Sequence, residues 1–166
     1  YTGINGLRLG GSLTLNNAPI ADENKNASTD STIAVQLFEI NAKYTAHNFY
    51  TIFEYGKSNF NYEGINLPTY IDEGETITWS DFTSSGYYLD LGYDIGSIIN
   101  TNKLIPWVRI SKVSKNDDKV SKQTDYMRFG LTWWPIDDVA FKTDFANVTV
   151  EDKTTTEFNV GIGYKF

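Results

Sequence analysis

The chain has 166 residues, of which 40% are hydrophobic, 15% aromatic and 21% charged, with a formal net charge of −7 and no cysteine. That acidity argues against nucleic acid as a partner, because phosphate binding needs a basic face, and zero Cys excludes disulfides, thiolate metal sites and cysteine nucleophiles. The single histidine, His47, leaves no histidine metal cluster and no conventional triad, and no run approaches the roughly 20 apolar residues of a membrane helix.

Apolar residues almost never recur at helical spacing; period two dominates, carried by β-branched and aromatic residues. A first strand is expected over 5–16, where Leu7, Leu9, Leu13 and Leu15 alternate with Arg8, Gly10, Ser12 and Thr14. The second, 33–46, has one break: Val35 and Leu37 have opposite parity to Phe38, Ile40, Ala42 and Tyr44, and a bulge there would reconcile them. The third, 49–60, alternates through Phe49, Thr51, Phe53 and Tyr55. The fourth, 86–97, does so through Tyr87, Leu89, Leu91, Tyr93 and Ile95. A fifth covers 104–114, and the sixth, 124–135, shows Met127, Phe129, Leu131 and Trp133 against Arg128, Gly130 and Thr132. A seventh follows over 138–148. The eighth, 156–166, has the cleanest pattern, with Phe158, Val160, Ile162, Tyr164 and Phe166 on one parity.

The connections are expected to alternate. Segments 17–32, 61–85, 115–123 and 149–155 are longer and polar, whereas His47-Asn48, Gly96 to Lys103 and Pro135-Ile136-Asp137 are tighter. Strands of about ten residues joined by long and short connections in turn describe an up-and-down outer-membrane barrel, long loops outside and short turns periplasmic. The reading is therefore all-β: a transmembrane antiparallel β-barrel or a large arc of one, in one domain over residues 1–166. Aromatics gather at the expected periplasmic strand ends, namely Tyr44, Phe49, Tyr93, Trp107, Trp133, Phe141, Tyr164 and Phe166, as a membrane-interface girdle would require. The rival is a soluble eight-stranded barrel that would bury Leu89, Phe129 and Ile162. The chain opens on Tyr1 rather than Met with no signal-peptide pattern, which predicts a processed or shortened N-terminus.

The terminal stretch FNVGIGYKF (158–166) resembles the C-terminal signal by which bacterial outer-membrane proteins are recognised for insertion. GYYLDLGYDI (86–95), LIPWVRISKV (104–113) and GLTWWPIDDVAFKTDF (130–145) resemble the C-terminal half of a family of general and phosphate-selective-like Gram-negative porins. GLRLGGSLTL (6–15) and YTAHNFYTIFEYG (44–56) do so more loosely. The resemblance implies an outer-membrane channel for passive diffusion of small hydrophilic solutes or ions, with oligomerisation a family option. Its partners would be membrane lipid, lipopolysaccharide and the outer-membrane insertion machinery. Family porins have about 16 or 18 strands, so an N-terminal half would be missing here. A small closed eight-stranded barrel with a structural or adhesive role is the alternative. Phosphate-selective relatives use rows of Arg and Lys; with Arg8, Arg109 and Arg128 as its only arginines, this chain does not inherit that specificity.

With the apolar parity toward lipid, the pore-lining side carries Arg8, Glu39, Lys43, Glu54, Asp90, Asp94, Arg109, Arg128, Lys142 and Asp144, together with Glu157 and Lys165. Cations and carboxylates balance on that face. In a wide barrel they would hold ordered water and a transverse field; in a narrow one they would form a salt-bridged plug. Counted from Trp107 and Trp133, Arg109 and Arg128 are expected at nearby but unequal heights, with Lys142 and Asp144 beside Arg128 in one mixed-charge patch. The four long loops carry the whole net charge, including Asp22, Glu23, Asp30, Glu63, Asp72, Glu73, Glu75 and Asp81. Asp72-Glu73-Gly74-Glu75 lacks the spaced ligands of a calcium loop, so no metal and no cofactor is expected. No catalytic residue is expected either: His47 falls in a short turn, and Asp137-Asp138 is explained by a tight turn.

Overall fold

The computed structural model describes residues 1, 3–19, 32–63, 70–72, 75–77, 81–117 and 123–165. Among these residues ten strands follow in order: β1 (Leu7–Pro19), β2 (Thr32–Ala46), β3 (Phe49–Glu63), β4 (Tyr70–Asp72), β5 (Glu75–Ile77), β6 (Phe82–Tyr93), β7 (Leu104–Ser114), β8 (Gln123–Ile136), β9 (Val139–Val150) and β10 (Lys153–Tyr164). Eight of them form one antiparallel sheet in the order β1-β2-β3-β6-β7-β8-β9-β10, each strand beside its predecessor along the chain; β4 and β5 make a separate small hairpin. All eight expected long strands are present. The β4–β5 hairpin lies inside the expected 61–85 loop.

The sheet is up-and-down but open: β1 and β10 stand at opposite edges and are not paired with each other. On its outer side, among the described residues, β1 bonds Tyr1, whose ammonium donates to the Leu9 carbonyl at 2.8 Å while the Leu9 N–H donates to the Tyr1 carbonyl at 3.0 Å. β10 is exposed along its whole length.

Turn chemistry explains the short connections. His47 and Asn48, at φ 52° and 68°, form the two-residue left-handed turn that matches the twist of flanking strands. The β8–β9 turn falls on Asp137-Asp138, after a register shift between Trp133 and Ile136, rather than on 135–137. One expected loop length is corrected. Segment 149–155 is a two-residue turn, closed at Glu151 with φ 53°. The 94–103 connection is a hydrogen-bonded turn in which Ile98 and Ile99 donate to the Ile95 carbonyl and Thr101 to that of Gly96.

Register also corrects β2. It pairs with both neighbours without interruption from Thr32 to Ala46, so there is no bulge, and Val35 and Leu37 stay on the same face as Glu39 and Lys43. They fit because that end of the charged face is itself apolar: Val35 lies opposite Phe60, whose ring stacks on Phe82 at 4.6 Å.

The core is almost absent. Among the described residues, Ile105 and Ala146 are the buried hydrophobics, at 5% and 1% exposed. Large apolar side chains stand in the open from Leu9 to Tyr164, Phe129 at 50% and Ile162 at 72%. A soluble sheet hides its apolar face against a second layer. Among the described residues this one has a single layer, and its apolar face is bare.

Candidate functional site: the charged face of the sheet

Cross-strand pairing assembles the site from residues far apart in sequence. One line of partners crosses all eight strands: Arg8, Lys43, Ile52, Asp90, Arg109, Arg128, Ala146 and Glu157. The chain neighbour of each forms the same line on the opposite face: Leu7, Tyr44, Thr51, Leu91, Val108, Phe129, Phe145 and Phe158, with no charge among them. Strand side chains alternate faces, so a belt of ions and an apolar band are two sides of one backbone line.

Burial runs opposite to polarity. Along β8 exposure alternates, Asp125, Met127, Phe129, Leu131 and Trp133 being exposed and Tyr126, Arg128, Gly130, Thr132 and Trp134 half-buried. Asp90 and Asp144 are each only 5% exposed. Each is bound to an arginine. Arg109 donates from Nε and Nη2 to the two oxygens of Asp90 at 2.5 and 2.6 Å, a bidentate fork of the strong, charge-assisted kind. Arg128 reaches Asp144 at 3.3 Å and Glu157 at 3.4 Å, and Asn159 donates to Asp144 at 3.1 Å. Arg109 and Arg128 are direct cross-strand partners, a juxtaposition of like charge that would be unfavourable alone. Their carboxylates on opposite sides offset it.

The belt continues toward β1. The guanidinium of Arg109 lies 4.6 Å over the Tyr88 ring, and Tyr88 donates its hydroxyl to Glu54 at 3.0 Å. Glu39 accepts from Asn41 at 3.0 Å and Ser12 at 3.4 Å. Arg8 and Lys43 face each other directly, with the Lys43 ammonium 6.0 Å from the Tyr50 ring centroid.

Several expected positions shift. Arg109 and Arg128 sit at the same height rather than unequal ones, because Trp107 is not a strand-end landmark: Trp133 lies opposite Leu104, and Trp107 lies opposite Gly130. Trp107 also leaves the expected aromatic girdle. It shares the parity of Arg109 and lies on the charged face, its Nε1 donating to Thr132 Oγ1 at 3.1 Å. Two glycines make this seat: Trp107 is flanked by Gly92 and Gly130. A Cβ at 130 would fall inside its ring, and one at 92 would approach its Cβ at 3.2 Å. Asp94 is committed to the turn, its Oδ1 accepting from Gly96 and Leu104 N–H groups at 2.9 and 3.1 Å.

The other girdle residues lie on the apolar face toward the short-turn ends, where Phe49 meets Tyr93 edge-on at 4.9 Å and Trp133 stacks on Phe141 at 5.8 Å. Tyr44 bonds the His47 Nδ1 at 3.0 Å, and Tyr164 is 63% exposed opposite Val139. Phe166 lies outside the described residues, as do the acidic positions 22, 23, 30 and 73. Among the described strand side chains, the charges on the apolar face are Lys57, Lys112 and Asp125, all toward the long-loop side, with Lys112 and Asp125 paired at 3.8 Å. From Asp125 to Trp133 is about 27 Å of strand at ~3.4 Å per residue, or ~19–22 Å in projection at the usual barrel tilt of 35–45°.

Among the described residues there is no cluster of three metal-ligating side chains, and no helix is long and apolar enough to cross a membrane. No protein-family model, no curated protein and no solved structure matches the chain.

Proposed function

We propose that this chain forms an arc of a transmembrane β-barrel in a bacterial outer membrane, and that the barrel is a porin: a water-filled channel for passive diffusion of small hydrophilic solutes or ions. One observation carries the reading, the inverted burial of an open, single-layer sheet. Apolar side chains are exposed on one face and paired ions are half-buried on the other. Lipid is the environment that satisfies the first face, and water in a lumen the second. The uncharged band, bounded by aromatics at one end and by Lys57, Lys112 and Asp125 at the other, approaches the roughly 25 Å apolar height of such barrels. The porin-like stretches within 86–166 support the same assignment.

The long open edges favour a wider barrel over the small closed one, because closure at eight strands requires β1 and β10 to pair, and here they do not. An unpaired apolar edge inside a membrane would leave backbone groups without partners, so further strands are assigned to both edges. The proposal includes lipid and lipopolysaccharide as surroundings, and no catalysis.

Planar-bilayer recording of the full-length protein is the test. Stable, discrete conductance steps are expected. A compact monomer that stays soluble at neutral pH without detergent would overturn the membrane assignment. Insertion without any conductance would overturn the channel.

A further inference from the structure

We propose that the short-turn end of the charged face holds a binding site for a small aromatic carboxylate, a single anionic group on a flat apolar body. The inference rests on the reading above that this face meets water.

A cavity of about 310 Å³ opens there, lined by Lys103, Lys142, Arg109, Asp90, Trp107 and Trp134. Its size suits a one-ring solute, at the small end of ligand pockets. In a chain of net charge −7 this lining has three cations against one carboxylate. Arg109 is already matched, both oxygens of Asp90 being bound to it. The surplus is therefore Lys103 and Lys142.

Neither lysine has a carboxylate partner among the described residues. Each instead rests on an indole face, Lys103 Nζ at 4.6 Å from the Trp134 ring centroid and Lys142 Nζ at 4.4 Å from that of Trp107. Such a contact at a wet site is worth only ~0.5–1 kcal/mol. Both lysines are exposed, so the three donors of each ammonium are left to water, with no side-chain acceptor among the described residues. A ligand carboxylate between them would exchange that water for two charge-assisted bonds. The flat wall is already built: Trp107 is held by its glycine seat and by the bond to Thr132, Tyr50 lines the same cavity, and Ile105 forms a dry floor at 5% exposure. Rings displaced from their ammoniums by a ligand carboxylate remain available to stack on its apolar body. Free phosphate fits less well, since it has no flat apolar body to lay against Trp107, Trp134 and Tyr50 and gains from the ammoniums alone.

The full-length protein in detergent micelles is titrated with benzoate, benzamide, acetate and inorganic phosphate, following tryptophan fluorescence. Benzoate is expected to saturate the signal, with benzamide and acetate each about tenfold weaker or more and phosphate no tighter than acetate. The double variant Lys103→Gln, Lys142→Gln should weaken benzoate about tenfold or more, while Lys103→Arg, Lys142→Arg retains most of it. Strand content by circular dichroism should be unchanged in both. Equal binding of benzamide reduces the site to a flat apolar surface, and phosphate binding as tight as benzoate reduces it to a charge effect. No saturable binding by the folded protein removes the site. All three overturn the proposal. A protein that conducts but ignores benzoate overturns the site alone; one that binds benzoate without conducting overturns the channel alone.

Discussion

The two faces of the sheet share every backbone hydrogen bond and differ in everything else. Residues 7, 44, 51, 91, 108, 129, 145 and 158 have no charge, and their chain neighbours 8, 43, 52, 90, 109, 128, 146 and 157 include four cations and two carboxylates. The apolar face has almost nothing of the protein packed on it; the charged face is knitted by forks, hydroxyl bonds and ring contacts. Strand periodicity alone is symmetric between a soluble barrel and a membrane one. Organisation breaks the symmetry: the charged face is knitted across the middle of its strands, whereas the side-chain polar bonds of the apolar face lie toward the strand ends, among them Lys112–Asp125, Tyr44–His47 and Thr149–Thr154.

The largest test of that contrast strikes the deepest pair. Asp90 is 5% exposed and held by Arg109. Arg109→Met should cost about 3–5 kcal/mol, because the carboxylate is left buried without a counter-charge. Adding Asp90→Asn should recover much of the loss. Urea titration of the protein inserted in lipid vesicles reads both. A loss below about 1 kcal/mol would mean that the charged face is flooded enough to hydrate Asp90 without help.

Moving one charge between faces comes next. Phe129→Arg places a cation in the middle of the apolar band, which facing lipid costs roughly 2–4 kcal/mol. Ser111→Arg, on the charged face between Tyr88 and Tyr126, should change stability by less than about 1 kcal/mol. Equal effects in the vesicle assay would erase the distinction between outside and inside.

Two glycines of the same face sharpen it further. Gly130→Ala drives a methyl into the Trp107 ring and should cost about 1–3 kcal/mol by overpacking, with a shift in tryptophan emission as the indole leaves its seat. A methyl group added at Gly161 would meet no atom within 4 Å, so Gly161→Ala should stay within about 0.5 kcal/mol.

Much of this was legible in the chain. The strands were, since Met127 to Trp133 against Arg128 to Thr132 admits one period. So was the facing of Arg109, Arg128, Lys142 and Asp144, which follows from parity. Pairing was not: that Asp90 rather than Asp144 takes Arg109 depends on which strands are neighbours and on their register. The parity of Trp107 with Arg109 already put it on the charged face, and the glycines opposite it become meaningful only once Gly92 and Gly130 are known to be its cross-strand partners. The bulge expected in β2 came from treating the charged face as polar to its end, whereas Val35, Phe60 and Phe82 make that end apolar. Glu151 at positive φ closes a turn in residues whose composition reads as a polar loop.

The smallest effect has the most informative sign. Arg8 and Lys43 are direct cross-strand partners, both exposed, in the least matched part of the belt. Like charges so placed repel by a few tenths to about 1 kcal/mol. Lys43→Glu turns that repulsion into an exposed ion pair, itself worth about 0–1 kcal/mol, so stability should rise slightly rather than fall. Lys43 belongs to the same line as Asp90, Arg109 and Arg128, and reversing its charge lowers the belt by two units. In an open pore the reversal potential should then move toward cations, more at low salt, because screening shortens the reach of the new charge. A side chain turned to lipid would behave in the opposite way, losing stability with either charge and leaving selectivity unchanged. Stability gained together with selectivity moved is the outcome that only a wet, charge-lined inner face produces.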